Sequence, residues 1–317
     1  MRISTAGLLR TSVFNIQKHF ERLADNQEQL ASGIRVQLPS DDPVATQRIL
    51  SWRKVRDNIG QHHRNISSAQ IWLNTTETMV SSIQDLVERA YELALGASNE
   101  LLPQTVRQTY SEDIDTILKE VLRLSNQVID DFYLLGGHQS DVTPFSAVTA
   151  GTTIVSVDYN GNGGQRDVEL SPQTTMTINT LGSNDRDDDG IADDAIPAVL
   201  RDANLGIDVF DTLIDLRDDM IAGNVPNILN NRLPEMEAII DNLALHRSEI
   251  GLKLQSVDLI QDIISQEELD VNVDIQQNEQ ADYATVVSNI SYEQTIYQAA
   301  NVTTSRLIQG SLFDFLQ

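Results

Sequence analysis

The chain has 317 residues, no Cys, only 5% aromatic residues, and 22 Lys+Arg against 47 Asp+Glu, a formal charge of −25. That charge argues against nucleic acid as the main partner, since phosphate binding needs a basic face. The missing thiols exclude disulfides, thiolate metal sites and cysteine nucleophiles, and no run approaches the ~18 apolar residues of a membrane span.

The opening, MRISTAGLLRTSVF, lacks a long apolar region and a small-residue cleavage site, so no Sec-type signal peptide is expected. Val13, Ile16, Phe20, Leu23, Gln27, Leu30 and Ile34 then alternate three- and four-residue steps. That is the stripe of a helix wound against another helix. A helix of this size is marginal in water without a partner. Ser32 and Gly33 offer a break, and Asp42 followed by Pro43 reads as an N-cap and first helical residue. The next helix, Pro43 to Ala97, holds a seam from Trp52 and Val55 through Ile59, His62, Ile66, Ala69, Leu73, Thr76, Val80, Ile83, Val87 and Ala90 to Ala94. It amounts to about 80 Å of helix. A third helix is expected from Gln104 to Leu135, antiparallel to the second and closed by Gly136 and Gly137.

Residues 140–197 change character. Alternation at 152–159, 167–171 and 174–179 predicts strands in a small β-rich acidic insertion. Helical rhythm is expected again over Ala198–Ala222 and from Ile228 to about Gln309, with a bend near Gly251. Near the end, Tyr283, Val287, Ile290, Gln294, Tyr297, Asn301, Thr304, Ile308 and Ser311 form a second, weaker stripe, widened by Val286, Ala300, Leu307 and Leu312. The polar positions Gln27, Gln294 and Asn301 read as register-setting contacts. The fold class predicted is mainly α: an elongated antiparallel helical bundle and a terminal coiled coil, with a small β-rich inserted domain. Its parts are terminal helices at 1–42 plus 281–317, a bundle at 43–139 plus 198–280, and the insertion at 140–197. Residues 181–220 hold twelve Asp against three Arg, so the ends are near neutral and the middle is acidic. Neutral ends can crowd together, whereas an acidic middle stays solvated.

Chemistry-bearing motifs are few. The five His are scattered, and no HExxH, GxSxG, P-loop or GxGxxG occurs. No enzyme activity and no required cofactor are expected. Asp185, Asp187, Asp189, Gly190 and Asp193 fit positions 1, 3, 5, 6 and 9 of a calcium loop, but position 12 is Ile196 rather than an acid. Calcium and a solvated acidic loop are therefore the two readings of this segment.

The run QLASGIRVQLPSDDPVA at 29–45, with Ser40, Asp41, Asp42 and Pro43 at its heart, closely resembles the N-terminal signature of the flagellin superfamily. With the opening MRIST it is most similar to the hook–filament junction branch, hook-associated protein 3. YLLGG at 133–137, Pro144 and Phe145, RSEIG at 247–251 and SLFDFL at 311–316 resemble further family segments in the right order. Lys253 and Gln255 depart from it, standing where Arg and Asn are frequent. The resemblance spans 1–145 and 200–317 and is weak between. It implies terminal helices lining a narrow channel, with an assembly interface at Val13, Ile16, Phe20, Leu23, Leu30, Ile290, Tyr297, Leu307, Ile308 and Leu312. It implies self-association in a ring, another hook-associated protein on the hook side and flagellin on the filament side. It further implies unfolded type III export with a chaperone at the C-terminal region, and a secreted, extracellular place in the flagellum. Filament flagellin is the alternative within the superfamily; a calcium-dependent surface-binding module is the alternative outside it. No nucleic acid and no membrane are expected as partners.

Overall fold

The computed structural model describes residues 5–139, 141–185, 191–193 and 195–315. Contacts divide the chain into two compact units, one of residues 1–58 with 266–317 and one of residues 59–265. The fold is mainly α with a small β-rich part.

The first unit contains helix α1 (Thr5–Ser32), the start of α2 (Pro43–Ala97), the end of α6 (Leu233–Glu279) and α7 (Tyr283–Phe315). α1 packs on α7. The long helix expected to run through to Gln309 is instead broken at Gln280–Asp282, whereas Gly251 lies inside unbroken α6. The break has a backbone cause. Ile34 and Gln280 form an antiparallel bridge, in which Arg35 N–H donates to the Glu279 carbonyl (2.6 Å) and Ala281 N–H to the Gly33 carbonyl (2.9 Å). Those carbonyls and amides cannot also serve a helix. Asp282 then restarts the chain as a cap for α7, accepting from Ala284 N–H at 3.0 Å and the Thr285 hydroxyl at 2.6 Å.

The second unit carries the main core. Every seam position of α2 from Ile59 to Ala94 is buried. The polar seam residue Thr76 returns its hydroxyl proton to the Trp72 carbonyl (2.8 Å), so it sits there without an unpaired donor. Tyr91 donates to Glu237 (2.7 Å), and Arg247 donates to Glu77 (2.9 Å), joining α2 to α6 along their length.

Helix α3 (Gln104–Ser125) ends ten residues earlier than the sequence rhythm predicts. Asn126 donates its side-chain amide to the Leu122 and Phe145 carbonyls and accepts from Phe145 N–H. A two-stranded hairpin follows, β1 (Val128–Ile129) and β2 (Phe132–Tyr133). Its turn residues Asp130 and Asp131 have φ of 47° and 66°, the pair of left-handed conformations that a tight type I′ hairpin needs and that Asp tolerates.

The insertion has the strands expected, as β4 (Thr153–Tyr159), β5 (Asp167–Ser171) and β6 (Thr174–Thr177). It adds β3 (Phe145–Ala150), which pairs antiparallel with β4. The segment expected to begin a helix at Ala198 is a sheet instead: β7 (Leu181–Ser183) lies parallel to β8 (Ala198–Asp202), which pairs antiparallel with β9 (Ile207–Asp208). Helix α4 (Val209–Ala222) begins only where Asp208 accepts from Phe210 and Asp211 N–H. Ala198, Val199 and Leu200 are all fully buried, so a continuous apolar run here means a strand covered on both faces. Phe145 anchors the layer, with Tyr159 at 5.0 Å and Phe210 at 5.1 Å between ring centroids. α5 (Val225–Asn227) and a π-helical turn, Ile228–Arg232, lead into α6.

Candidate assembly interface

The α1–α7 seam is narrower than the sequence stripes. On α1 the half-buried positions include Ser12, Ile16, His19, Leu23, Asn26 and Gln29; on α7 the covered positions include Val286, Ile290, Glu293, Ile296, Tyr297, Ala300 and Thr304. Most of these positions follow the three- and four-residue alternation of a coiled-coil seam. Of the predicted interface, Ile16, Leu23, Ile290 and Tyr297 therefore meet inside the chain. Val13 (47% exposed), Phe20 (56%) and Leu30 (37%) face outward. Phe20 nevertheless lies against Tyr297, tilted at 42° with 5.8 Å between ring centroids. The side chains of Leu307, Ile308 and Leu312 lie outside the described residues.

Gln27, Gln294 and Asn301 are all exposed. The buried carboxylate inside the seam is Glu293, only 7% exposed, 2.6 Å from His19 Nδ1 and 3.8 Å from the Arg22 guanidinium. A buried carboxylate at a seam position is tolerable only when paired, so it permits one alignment of the two helices. Neither His19 nor Glu293 carries an apolar signal, and only their matched heptad positions could have paired them in advance.

The signature residues build the elbow between α1 and α2. Asp42 accepts from Ala45 N–H (2.9 Å) and from Arg35 (3.0 Å), with Pro43 as first residue of the helix. These bonds, the Ala45 amide foremost, hold the Asp42 carboxyl below its usual value. Asp41 accepts from Gln37 and Leu38 N–H at 3.1 and 2.8 Å, and Ser40 leans on Asp41. Gly33 sits at φ +72°, and a Cβ there would stand 2.7 Å from the Tyr283 hydroxyl. Arg53 pairs with Glu279 at 2.6 Å beside the bridge. The residues thus form a capped hinge, in keeping with the capping role read from the sequence.

Of the calcium candidates, Asp187 and Asp189 lie outside the described residues. Asp185 is buried (3% exposed) and Asp193 is exposed. The loop is closed beneath by Asp193 N–H donating to the Asn184 carbonyl at 2.7 Å, with Asn184 held by Asp202 at 2.9 Å. Among the described residues no group of three or more His, Cys, Asp or Glu could hold a metal ion. No described helix is long and apolar enough to cross a membrane.

The family described as bacterial flagellin N-terminal helical region matches residues 3–139. Flagellar hook-associated protein 3 of Salmonella typhimurium is 22% identical over 99% of both chains, and that of Escherichia coli K12 is 21% identical over the same share. The likeness is thus to the flagellin superfamily. Within the superfamily its end-to-end likeness is to hook-associated protein 3, whereas a flagellin of Listeria monocytogenes is 23% identical over 38% of this chain. The solved structure of a putative flagellar hook-associated protein from Vibrio parahaemolyticus shares the fold, with a TM-score of 0.63 at 18% identity. It covers 76% of this chain and 100% of that one. A hook-associated protein 3 structure from Legionella pneumophila gives 0.61 at 13% identity, over 72% and 98%. These likenesses support a structural role in the flagellum.

Proposed function

We propose that the chain is the adaptor between hook and filament. Copies close into a ring that meets another hook-associated protein on the hook side and flagellin on the filament side. The chain is exported unfolded by the type III route, with a chaperone on its C-terminal region, and takes its place outside the cell. The observation that carries this reading is the likeness to hook-associated protein 3 over 99% of the chain. The terminal helices support it. Their shared seam covers one face of each and leaves Val13, Phe20, Leu30 and Ile34 exposed, a row that neighbouring copies cover on assembly. Burial of that row offsets the entropy of ordering the ends. The flagellin alternative has weaker support, since the likeness there is confined to 38% of the chain.

Imaging a deletion strain tests the proposal. Hooks without filaments, with flagellin monomers shed into the medium, are expected; intact filaments would overturn it. Calcium at 185–193 is a separate and minor proposal that rests on the spacing of Asp185, Asp187, Asp189 and Asp193 alone. Calorimetry on the full chain at millimolar calcium tests it, and an absence of heat removes it.

A further inference from the structure

Two Asn-Gly pairs follow one another directly after β4, Asn160 with Gly161 and Asn162 with Gly163, and the sequence has no other. Such a pair carries its own reactants. The glycine's backbone nitrogen lies within reach of the preceding carboxamide carbon, and no Cβ shields the approach. The two pairs share this chemistry and differ in what holds them.

Asn162 is locked. Its Oδ1 accepts from His138 N–H at 2.8 Å and from Gly164 N–H at 3.0 Å, and its own N–H donates to the Gly136 carbonyl at 3.3 Å. Gly137 lies so close that a Cβ there would stand 2.1 Å from the Asn162 carbonyl oxygen. Asn160 is exposed. Its Nδ2 donates to Ser146 Oγ at 2.9 Å and, over a longer 3.4 Å, to the Thr143 carbonyl. Among the described residues nothing donates to its Oδ1, and the Gly161 N–H has no acceptor. Packing requires the glycine at 161. A Cβ there would stand 2.3 Å from the Tyr159 hydroxyl, which donates to the Leu135 carbonyl at 2.8 Å. The seating of Tyr159 therefore demands the residue that leaves Asn160 open to attack.

We propose that Asn160 is a site of spontaneous deamidation and that Asn162, in the same turn, is protected. The Gly161 nitrogen loses its proton to solvent and bonds to Asn160 Cγ. The Cγ–Nδ2 bond breaks, and Nδ2 takes a proton from solvent and leaves as ammonia. Water then opens the cyclic imide at either carbonyl, leaving aspartate or isoaspartate at position 160. Either product removes the donor to Ser146 and Thr143 and adds a negative charge. Isoaspartate also lengthens the main chain by one atom beside the bond from Asn160 N–H to the Pro144 carbonyl (2.7 Å), which loosens the open end of the β3–β4 pair. This inference is independent of the hook–filament reading.

Ageing the full chain in mildly alkaline buffer at physiological temperature, followed by peptide mass spectrometry and isoaspartyl-methyltransferase labelling, tests it. In the folded chain Asn160 should convert about tenfold or more faster than Asn162, and in urea the two rates should converge to within about threefold. Asn160→Gln should abolish isoaspartate in this segment of the folded chain. If that variant does not fold, the ratio of the two sites in the unaltered chain decides. Equal conversion of both sites in the folded chain, faster conversion of Asn162, or no conversion of Asn160 would overturn the inference.

Discussion

Two stretches of this chain carry the same heptad spacing, and only one is completed within the molecule. In α2 the seam from Ile59 to Ala94 is buried throughout, with α6 joined alongside by Tyr91–Glu237 and Arg247–Glu77. In α1 the stripe has one helical partner. Ile16 and Leu23 turn toward α7, while Val13 and Phe20 remain about half exposed. Spacing shows that a helix needs company; the number of neighbours sets how much of its stripe is covered. The bundle seam is therefore completed within the chain, whereas the terminal pair is covered on one face and exposed on the other.

Substitutions can break or sharpen that contrast. Leu73→Ala, at a fully buried seam position, should cost about 2–5 kcal/mol of unfolding free energy, read from urea midpoints; a loss below about 1 kcal/mol would mean the bundle core is not where the stability resides. Glu293→Leu should loosen the α1–α7 pair by about 1–3 kcal/mol, because His19 and Arg22 lose a buried acceptor. Adding His19→Leu should return most of that loss, and a double-mutant cycle monitored by protease resistance of the ends measures it. Phe20→Ala should change monomer stability by less than about 1 kcal/mol yet abolish ring and filament assembly. Normal assembly by this variant would remove Phe20 from the contact surface.

Two carboxylates give pH signatures of opposite sign. Asp208 caps α4 and is pushed up to about 6 by burial, against the pull of Arg201. Its protonated form is the one that folding favours. Its contribution is complete below the ordinary value of 3.8 and is lost as pH rises through about 6, which unfolding at graded pH, with Asp208→Asn as the flat control, can check. Asp42 is held below 3.8 by the Ala45 amide and Arg35. Its smaller contribution is present at neutral pH and lost as pH falls below the carboxylate range. Asp42→Asn should remove that acid sensitivity from the elbow while leaving the bundle unchanged.

How far the fold could be read in advance depended on what made each boundary. α2 was legible from end to end because a cap, a proline and an unbroken seam all agree. The end of α3 was hidden because Asp130 and Asp131 serve as turn residues by adopting positive φ, a conformation more often signalled by Asn and Gly. The strands at 198–208 were read as helix because a short apolar run has no period of its own. The break at Gln280–Asp282 was invisible for a different reason: it is imposed by pairing with Ile34, far away in sequence. In the α1–α7 seam, the covered positions Ile16, Leu23, Ile290 and Tyr297 were legible from spacing. The pairing of His19 with Glu293 was not, because charged residues on a helix are usually solvated.

The bridge between Ile34 and Gln280 also supplies a gauge of whether the ends are folded. Arg35 and Ala281 each give their amide proton to a carbonyl on the opposite passage of chain, so both protons are protected only while the two passages lie side by side. Deuterium uptake at these two amides would time the joining of the ends directly, in solution and again within the assembled organelle.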